Sequence, residues 1–285
     1  MTATATTAQT PARRIVHRTR GSRHGPLTRL MSPSDLGRVV KPFVFLDLFD
    51  ADSFGAARTR LHPHSGIATV TFLMQGNVAY EDTDGHTGVL PQGGMEWMKA
   101  GGGAWHGGGS GDAGRARGFQ LWIALPPDSE LSPAESIYLP PASIPRDGPV
   151  RVLLGSYGAA ASTIRPPSPL NYLFVRLRAG ERWRYSPEAG QTVCWVAVGA
   201  GDLVASELLR AGDLAVFEAS EAAIEFQARG DTEFVLGSAV PHPYELNLGT
   251  YSVHTNPDAL QAAESRIAQI QASLIAQGRL RPDSE

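Results

Sequence analysis

Short apolar segments separated by Gly, Pro and Asp recur through most of the chain. The segment Ile67–Met74 (IATVTFLM) is rich in β-branched and aromatic residues and predicts a buried strand. In the next segment, NVAYEDTDGHTGVL, the type I′ turn signal Asp84-Gly85 lies between two strand-like arms and predicts a hairpin. Further strands are predicted at GMEWM, GFQLWIAL, VRVLLGSY, NYLFVRLRAG, TVCWVAVGAGDLVAS, DLAVFEA, IEFQAR and TEFVLGSAV. Many short strands separated by turns are typical of a β-sandwich or β-barrel.

The two halves of the chain share a faint repeat. Phe72–Val78 (FLMQGNV) matches Val196–Leu203 (VAVGAGDL), with Gly76 opposite Gly201, and a second short match follows in each half. A duplicated β-barrel would produce such a repeat. The Pro-rich region Pro126–Pro149 between the two matches is interpreted as a linker.

The two ends of the chain differ from the strand-rich middle. The start, MTATATTAQTPARR, has no apolar signal core and is interpreted as a disordered tail. Near the other end, Asn256 can cap a helix that has Pro257 at its first position. Apolar residues at steps of three and four follow, which predicts an amphipathic helix over Pro257–Gln277 that braces a barrel. These residues are Leu260, Ala263, Ile267, Ile270 and Leu274.

Composition excludes several classes of protein. Of the 285 residues, 42% are hydrophobic and 19% are charged, which fits a folded globular chain. The net charge of −3 and the lack of a basic block argue against direct nucleic-acid binding. No apolar run reaches the roughly 18 residues that a membrane span needs, so no membrane role is expected. Cys194, the single cysteine, lies in an apolar run, predicts a buried thiol and fits the reducing cytoplasm.

Three histidines carry the strongest chemical signal. His62 and His64 are two residues apart in LHPHSG, and alternate side chains of a strand share one face. His106 ends the segment AGGGAWH, and a barrel can bring it beside the pair. Three imidazoles on one side of a metal ion leave positions open for water, oxygen or substrate. The alternative is three surface or core histidines that bind no metal.

The repeat indicates that only one half carries these histidines. Pro187 and Ala189 stand in the second half where the first half has the histidine pair, and Ile224 stands where it has His106. A metal site in one barrel and a plain apolar core in the other is then the simplest interpretation.

The run from His62 to His106 resembles the core of the pirin family, as do KPFVFLDLF, GFQLWIALP and PYELNLGTY elsewhere in the chain. The resemblance extends from Lys41 to Gln277. It implies an all-β chain with two cupin-type (jelly-roll) β-barrels and a C-terminal helix. The implied domains are a tail at 1–20, a metal-binding cupin domain at 21–135, a metal-free cupin domain at 136–250 and a terminal helical segment at 251–285.

The same resemblance implies a cofactor and two kinds of function. Pirins carry one metal ion, usually iron, so His62, His64 and His106 would bind Fe(II). Some pirins show quercetin 2,3-dioxygenase activity, which implies an enzyme acting on a small aromatic or flavonoid-like substrate. Others regulate through protein partners, which implies a non-catalytic, metal- or redox-responsive protein. A metal-free structural relic is the third hypothesis.

The chain departs from the family pattern at three positions. Gly108 stands where pirins usually have a glutamate as the fourth ligand. Ala68 stands where they usually have a glutamate, and Ser65 where they have an arginine. Three neutral ligands without a carboxylate shift the expected metal preference toward zinc, nickel or copper.

Three polar residues in strand-like segments are candidates for supporting roles. Glu96, before His106, is either a catalytic base or replacement ligand, or a surface-facing strand residue. Asp47 lies in the apolar run FLDLF, so it would either orient a histidine ligand or form a structural hydrogen bond. Gln120 would line the cavity or bond the backbone. His254 is interpreted as a surface or packing histidine.

Overall fold

The computed structural model describes residues 13–51, 59–110 and 114–281. The strands of the first half are β1 (Ile15–Thr19), β2 (Ser22–His24), β3 (Leu27–Met31), β4 (Phe43–Ala51), β5 (Thr59–His64), β6 (Ile67–Gln75), β7 (Val78–Asp82), β8 (Thr87–Leu90), β9 (Met95–Lys99), β10 (Ala104–Ser110), β11 (Ala116–Ala124) and β12 (Glu135–Leu139). Those of the second half are β13 (Arg146–Asp147), β14 (Val150–Leu154), β15 (Ser156–Tyr157), β16 (Ala160–Ala161), β17 (Leu170–Leu177), β18 (Arg182–Tyr185), β19 (Val193–Ala200), β20 (Asp202–Val204), β21 (Leu208–Arg210), β22 (Leu214–Phe217), β23 (Ile224–Ala228), β24 (Thr232–Ala239), β25 (Asn247–Leu248) and β26 (Val253–His254). The helices are α1 (Leu36–Val39) and α2 (Pro257–Ala276), and Pro141–Ser143 forms a 3-10 turn.

Most of these strands form two barrels, each made of a large and a small antiparallel sheet, while β15-β16 and β25-β26 are separate two-stranded sheets. In the first barrel the large sheet has the order β12-β9-β6-β11-β4-β3-β2, and the small sheet has the order β5-β10-β7-β8. In the second barrel the orders are β1-β22-β19-β24-β17-β14-β13 and β18-β23-β20-β21. The protein is therefore all-β with two cupin-type barrels and a C-terminal helix, as the resemblance implied. Neither helix of the described residues is long and apolar enough to cross a membrane.

The two large sheets pack against each other through a shared apolar core. Phe72 of the first barrel lies 4.7 Å from Phe174 of the second, measured between ring centroids. Phe43 meets Trp195 edge-on at 5.4 Å. Each fully buried side chain of this size contributes roughly 1.5–3 kcal/mol to stability. Because these sheets are covered on both faces, their strands are nearly continuous apolar runs, such as Ile67–Gln75.

The second barrel has an apolar interior of its own. Trp183, Phe226 and Phe234 pack together there with Cys194, which is fully buried. Burial raises the pKa of the Cys194 thiol to about 12, so the thiol is neutral and unreactive. The predicted buried thiol is confirmed.

The predicted repeat corresponds to equivalent turns in the two barrels. Gly76 follows β6 and Gly201 follows β19, and both have φ of +77°. A Cβ at Gly76 would lie 2.2 Å from the carbonyl oxygen of Arg115, and one at Gly201 would lie 2.3 Å from that of Asp231. Since both turns need a left-handed residue beside a neighbouring strand, both require glycine. The hairpin at Asp84-Gly85 is also present, between β7 and β8.

The disordered tail predicted for residues 1–20 is wrong for its last part. Residues 1–12 lie outside the described residues, but β1 pairs with β22 at the edge of the second barrel. The Arg13 side chain is buried, and it donates hydrogen bonds to the carbonyl oxygens of Glu218 and Thr192. Ile15 packs on the apolar interior of this barrel. The order comes from contacts about 200 residues away, which local composition does not reveal.

The predicted linker and the boundary at residue 135 also need correction. Strand β12 (Glu135–Leu139) begins at that boundary and pairs with β9, so it belongs to the first barrel. Ile137 and Leu139 pack against the shared core, which explains why a Pro-rich region contains a strand.

Helix α2 forms where the capping signals predicted it. The Asn256 side chain accepts a hydrogen bond from the Ala259 backbone N–H at 2.9 Å, and Pro257 occupies the first turn. Ile267, Ile270 and Leu274 pack in one cluster with Trp105 of β10. The helix therefore braces the strand that carries His106.

Candidate metal centre

Two neighbouring strands of the small sheet bring the three histidines together. His62 and His64 lie on β5, His106 lies on β10, and His106 is directly opposite His62 in the antiparallel register. One ring nitrogen of each histidine lies within 4.8 Å of the corresponding nitrogens of the other two. Ring centroids are 4.7 Å apart for His62 and His106, and 5.1 Å apart for His64 and His106.

Hydrogen bonds fix the orientation of two of the imidazoles. His64 Nδ1 lies 3.1 Å from the carbonyl oxygen of Tyr251, and His106 Nδ1 lies 2.8 Å from Glu96 Oε1. Because a carbonyl or carboxylate oxygen only accepts, each Nδ1 carries the hydrogen and each Nε2 is left with its lone pair. Both Nε2 atoms are buried and have no hydrogen-bond partner. A buried acceptor without a partner costs about 1–3 kcal/mol, so this donor set fits a metal ion.

The electrostatics of the site favour a neutral His64 and an ionised Glu96. Burial lowers the pKa of His64 well below its ordinary value, and the neighbouring His62 and His106 lower it further. Burial by itself would raise the pKa of Glu96, but interactions with His106, Thr71 and His62 together outweigh it, and the net shift of this pKa is downward. A neutral imidazole and a carboxylate are the forms that metal binding requires.

Glu96 is buried, so the surface-facing alternative for this residue is wrong. Its carboxylate contacts Nδ1 of His106 at 2.8 Å and so fixes the orientation of that ring. Carboxylate–histidine pairs of this kind orient the ring and raise its basicity toward a metal. Its role as a catalytic base stays a prediction.

At Gly108, strand geometry excludes a side chain. Gly108 of β10 is paired with Tyr80 of β7, and a Cβ at Gly108 would lie 2.6 Å from the carbonyl oxygen of Ala79. Since that contact involves backbone, the strands would have to separate to admit a glutamate. The negative charge near the site is instead that of Glu96, whose carboxylate is hydrogen-bonded to His106.

Asp47 and Gln120 lie on the large sheet of the first barrel. The two Asp47 carboxylate oxygens accept hydrogen bonds from Arg29 at 2.5 and 3.2 Å. Asp47 therefore forms a structural hydrogen bond and does not orient a histidine. Burial raises the pKa of Asp47 more than Arg29 lowers it. Gln120 is two residues before Trp122 and shares its strand face, and the Trp122 ring lies 4.8 Å from His64.

A cavity of about 130 Å³ lies on the side of Trp122, and none of the three histidines is among its lining residues. Phe45 and Trp122 form part of its wall, stacked 4.0 Å apart, and Ser252 lines another side. The Trp122 ring also lies 4.8 Å from the His64 ring, so one aromatic side chain contacts both the cavity and the histidine cluster.

His254 is buried, which agrees with the packing alternative and excludes the surface one. It also belongs to a hydrogen-bonded network with Glu130 and Ser65 that sequence reasoning missed. Glu130 and His254 are 124 residues apart, and no local pattern links them.

In the second barrel the positions equivalent to His62 and His106 hold an aromatic and an apolar residue. Tyr185 of β18 lies opposite Ile224 of β23, as His62 lies opposite His106 in the first barrel. The predicted counterpart of His62, Pro187, therefore falls beyond the strand. Ile224 is buried in the apolar interior of this barrel.

Comparison of the sequence with known proteins finds a matching family and several relatives. The sequence model of the family described as Pirin matches residues 26–123. A Pseudomonas aeruginosa protein provisionally named quercetin 2,3-dioxygenase is 32% identical over 232 residues, which cover 76% of this chain and 81% of that protein. A pirin-like protein of Caulobacter vibrioides is 30% identical over 219 residues, 72% of this chain and 76% of that protein.

Solved structures share the fold. A quercetin 2,3-dioxygenase from Acinetobacter baumannii superposes with a TM-score of 0.80 at 24% identity, covering 91% of this chain and 96% of the other. The bacterial pirin YhhW from Escherichia coli, solved in complex with nickel(II), superposes with a TM-score of 0.63 at 19% identity, covering 81% and 99%. On the strength of its two-barrel fold and of relatives that match over most of both chains, the protein belongs to the pirin family.

Proposed function

We propose that the protein is a metal-dependent dioxygenase that acts on a small aromatic or flavonoid-like substrate. In this proposal His62, His64 and His106 hold one divalent ion, Fe(II) in the active form. The observation that carries it is the pair of buried Nε2 atoms on His64 and His106, both without a hydrogen-bond partner. Their Nδ1 atoms are occupied, so only the Nε2 lone pairs can face an ion.

A divalent ion held there supplies Lewis-acid and redox chemistry toward dioxygen and a phenolic substrate. The residues of the chain would orient the metal ligands and enclose the site. Glu96 holds the His106 ring and balances part of the positive charge. Phe45 and Trp122 stack on each other at 4.0 Å, and Trp122 packs against the His64 ring at 4.8 Å, so this aromatic pair supports one ligand of the proposed site.

The named activity of the Pseudomonas relative supports a flavonol as the substrate to try first. A dioxygenase places both atoms of O₂ in its organic substrate, so the assay needs no added reductant. The cavity of about 130 Å³ is small for a complete flavonol, so smaller catechols belong in the same assay.

The test begins with the metal content of the protein as purified without chelator, measured by element. Apoprotein is then loaded with Fe(II) without air, and oxygen uptake is followed after addition of quercetin. We expect uptake that depends on both iron and substrate and is lost in His62→Ala. Equal uptake by His62→Ala and the parent would refute the mechanism, and a parent that binds no metal would refute the site.

A regulatory role is the second candidate, favoured by exposed apolar residues next to the site. Tyr244, Leu248 and Tyr251 are about 40% exposed and belong to one segment, and the Tyr251 ring lies 6.0 Å from the His64 ring. In this case the protein binds a metal or responds to its redox state and docks on a partner protein. The regulatory role predicts that the protein binds one metal ion per chain and consumes no oxygen when any flavonoid or catechol is added.

A further inference from the structure

Buried polar side chains form a hydrogen-bonded chain behind His64. His254 Nδ1 lies 3.0 Å from Glu130 Oε2, and His254 Nε2 lies 2.9 Å from Ser65 Oγ. Glu130 also accepts hydrogen bonds from the backbone N–H and the hydroxyl of Thr255, so it acts as a carboxylate. Ser65, His254 and Glu130 are 0%, 1% and 2% exposed.

The order Ser65–His254–Glu130 has the connectivity of a hydrolytic triad, but its surroundings exclude that chemistry. Ser65 Oγ already donates to Ser252 Oγ at 2.8 Å. The next residue, Gly66, is so close to the C-terminal segment that a Cβ there would lie 2.0 Å from the carbonyl oxygen of Val253. A substrate carbonyl therefore has no room to approach Ser65.

The hydrogen-bonded side chains Ser65, His254 and Glu130 anchor the segment that holds His64. The Val253 backbone N–H donates to the Ser65 carbonyl oxygen at 3.2 Å, and Ser65 and Ser252 form a parallel β-bridge. Tyr251, the residue before Ser252, supplies the carbonyl that accepts from His64 Nδ1. The same few residues thus fix both the turn after His64 and the hydrogen-bond acceptor for its ring.

We infer that Ser65, His254 and Glu130 are positioning residues for His64 as a metal ligand. They keep the Tyr251 carbonyl on Nδ1 and so direct Nε2 toward the ion. This inference rests on the proposed metal site. It also gives a structural use to Ser65, a position where the chain departs from the family pattern.

The experiment compares two buried serines in matched variants. Ser65 and Ser238 are both fully buried, and each hydroxyl donates to a side chain, but Ser238 bonds Gln191 in the second barrel. Apoprotein is titrated with Co²⁺, followed by the visible absorption of the bound ion. We expect Ser65→Ala to bind Co²⁺ about 10-fold more weakly, as with other groups that support a ligand, and Ser238→Ala to bind like the parent.

A second readout reports the geometry directly. In the zinc-loaded parent the His64 Nδ1 proton is buried and hydrogen-bonded, so its NMR signal should exchange slowly with water. Its exchange should accelerate in Ser65→Ala and stay slow in Ser238→Ala. If Ser65→Ala is unfolded by circular dichroism, Glu130→Gln, which keeps the side-chain shape, replaces it with the same expected results.

The outcomes separate the inference from the proposed function. A parent that binds Co²⁺ no better than His62→Ala refutes the metal site, and with it the inference. A parent that binds well, together with a folded Ser65→Ala of equal affinity and equally slow exchange, refutes the inference alone.

Discussion

Strand pairing at Gly108 decides whether the carboxylate typical of the family can be restored. In Gly108→Glu the new Cβ would lie 2.6 Å from the Ala79 carbonyl oxygen and 3.3 Å from Val78 Cγ1. Ordinary van der Waals contact begins at 3.4 Å. Relief requires β7 and β10 to separate beside His106, which is paired with Asp82 across the same two strands.

Two opposing effects set the magnitude. Overpacking of a buried position costs about 1–3 kcal/mol. Replacing glycine also reduces the conformational freedom of the unfolded chain, which stabilises the folded protein by only about 0.4–1 kcal/mol. We therefore expect a net loss of roughly 1–2 kcal/mol, which for a chain of this size lowers the melting temperature by about 2–8 °C.

Thermal unfolding of Gly108→Ala and Gly108→Glu tests this reasoning. The clash belongs to the Cβ, so both variants should melt below the parent by similar amounts. Co²⁺ affinity should not rise in Gly108→Glu, because the shifted strand also moves His106. A Gly108→Glu protein that melts with the parent and binds Co²⁺ more tightly would show that the position is open to a fourth ligand.

Three further predictions follow from the buried groups. Glu96→Gln keeps the shape but removes the charge behind His106, so Co²⁺ affinity should fall about 10- to 100-fold in the same titration, whereas unchanged affinity would contradict a positioning role. The pKa of His64 is lower in the folded than in the unfolded state. As the pH drops below about 6.5, His64 therefore binds a proton more readily in the unfolded chain, and the stability of the metal-free protein should fall. Urea unfolding between pH 7 and pH 5 should show a shallower pH dependence for His64→Gln, and equal slopes would refute this attribution. Cys194 should react with a thiol reagent only after unfolding, and labelling of the native protein at the same rate as the denatured protein would contradict its burial.

Local patterns predicted a β-sandwich or β-barrel, its duplication and two of the three histidines on one strand, whereas the two cupin-type barrels were implied by the family resemblance. Alternation along a strand puts His62 and His64 on one face, and a glycine-marked repeat indicates a duplicated barrel. The capping residues Asn256 and Pro257 locate the final helix within one residue at its end. The strand and helix signals depend on residues close together in sequence, and the repeat only compares two such local patterns.

The tertiary structure decided which groups meet. His106 reaches His62 because β10 pairs with β5, and Glu96 reaches His106 because β9 lies on the facing sheet. The Tyr251 carbonyl reaches His64 across 187 residues. Strand β1 pairs with β22 of the second barrel, although local composition predicted a disordered tail there. The physical reason is that hydrophobic patterning fixes which face of a strand is buried, whereas sheet pairing and packing fix which buried polar groups become neighbours.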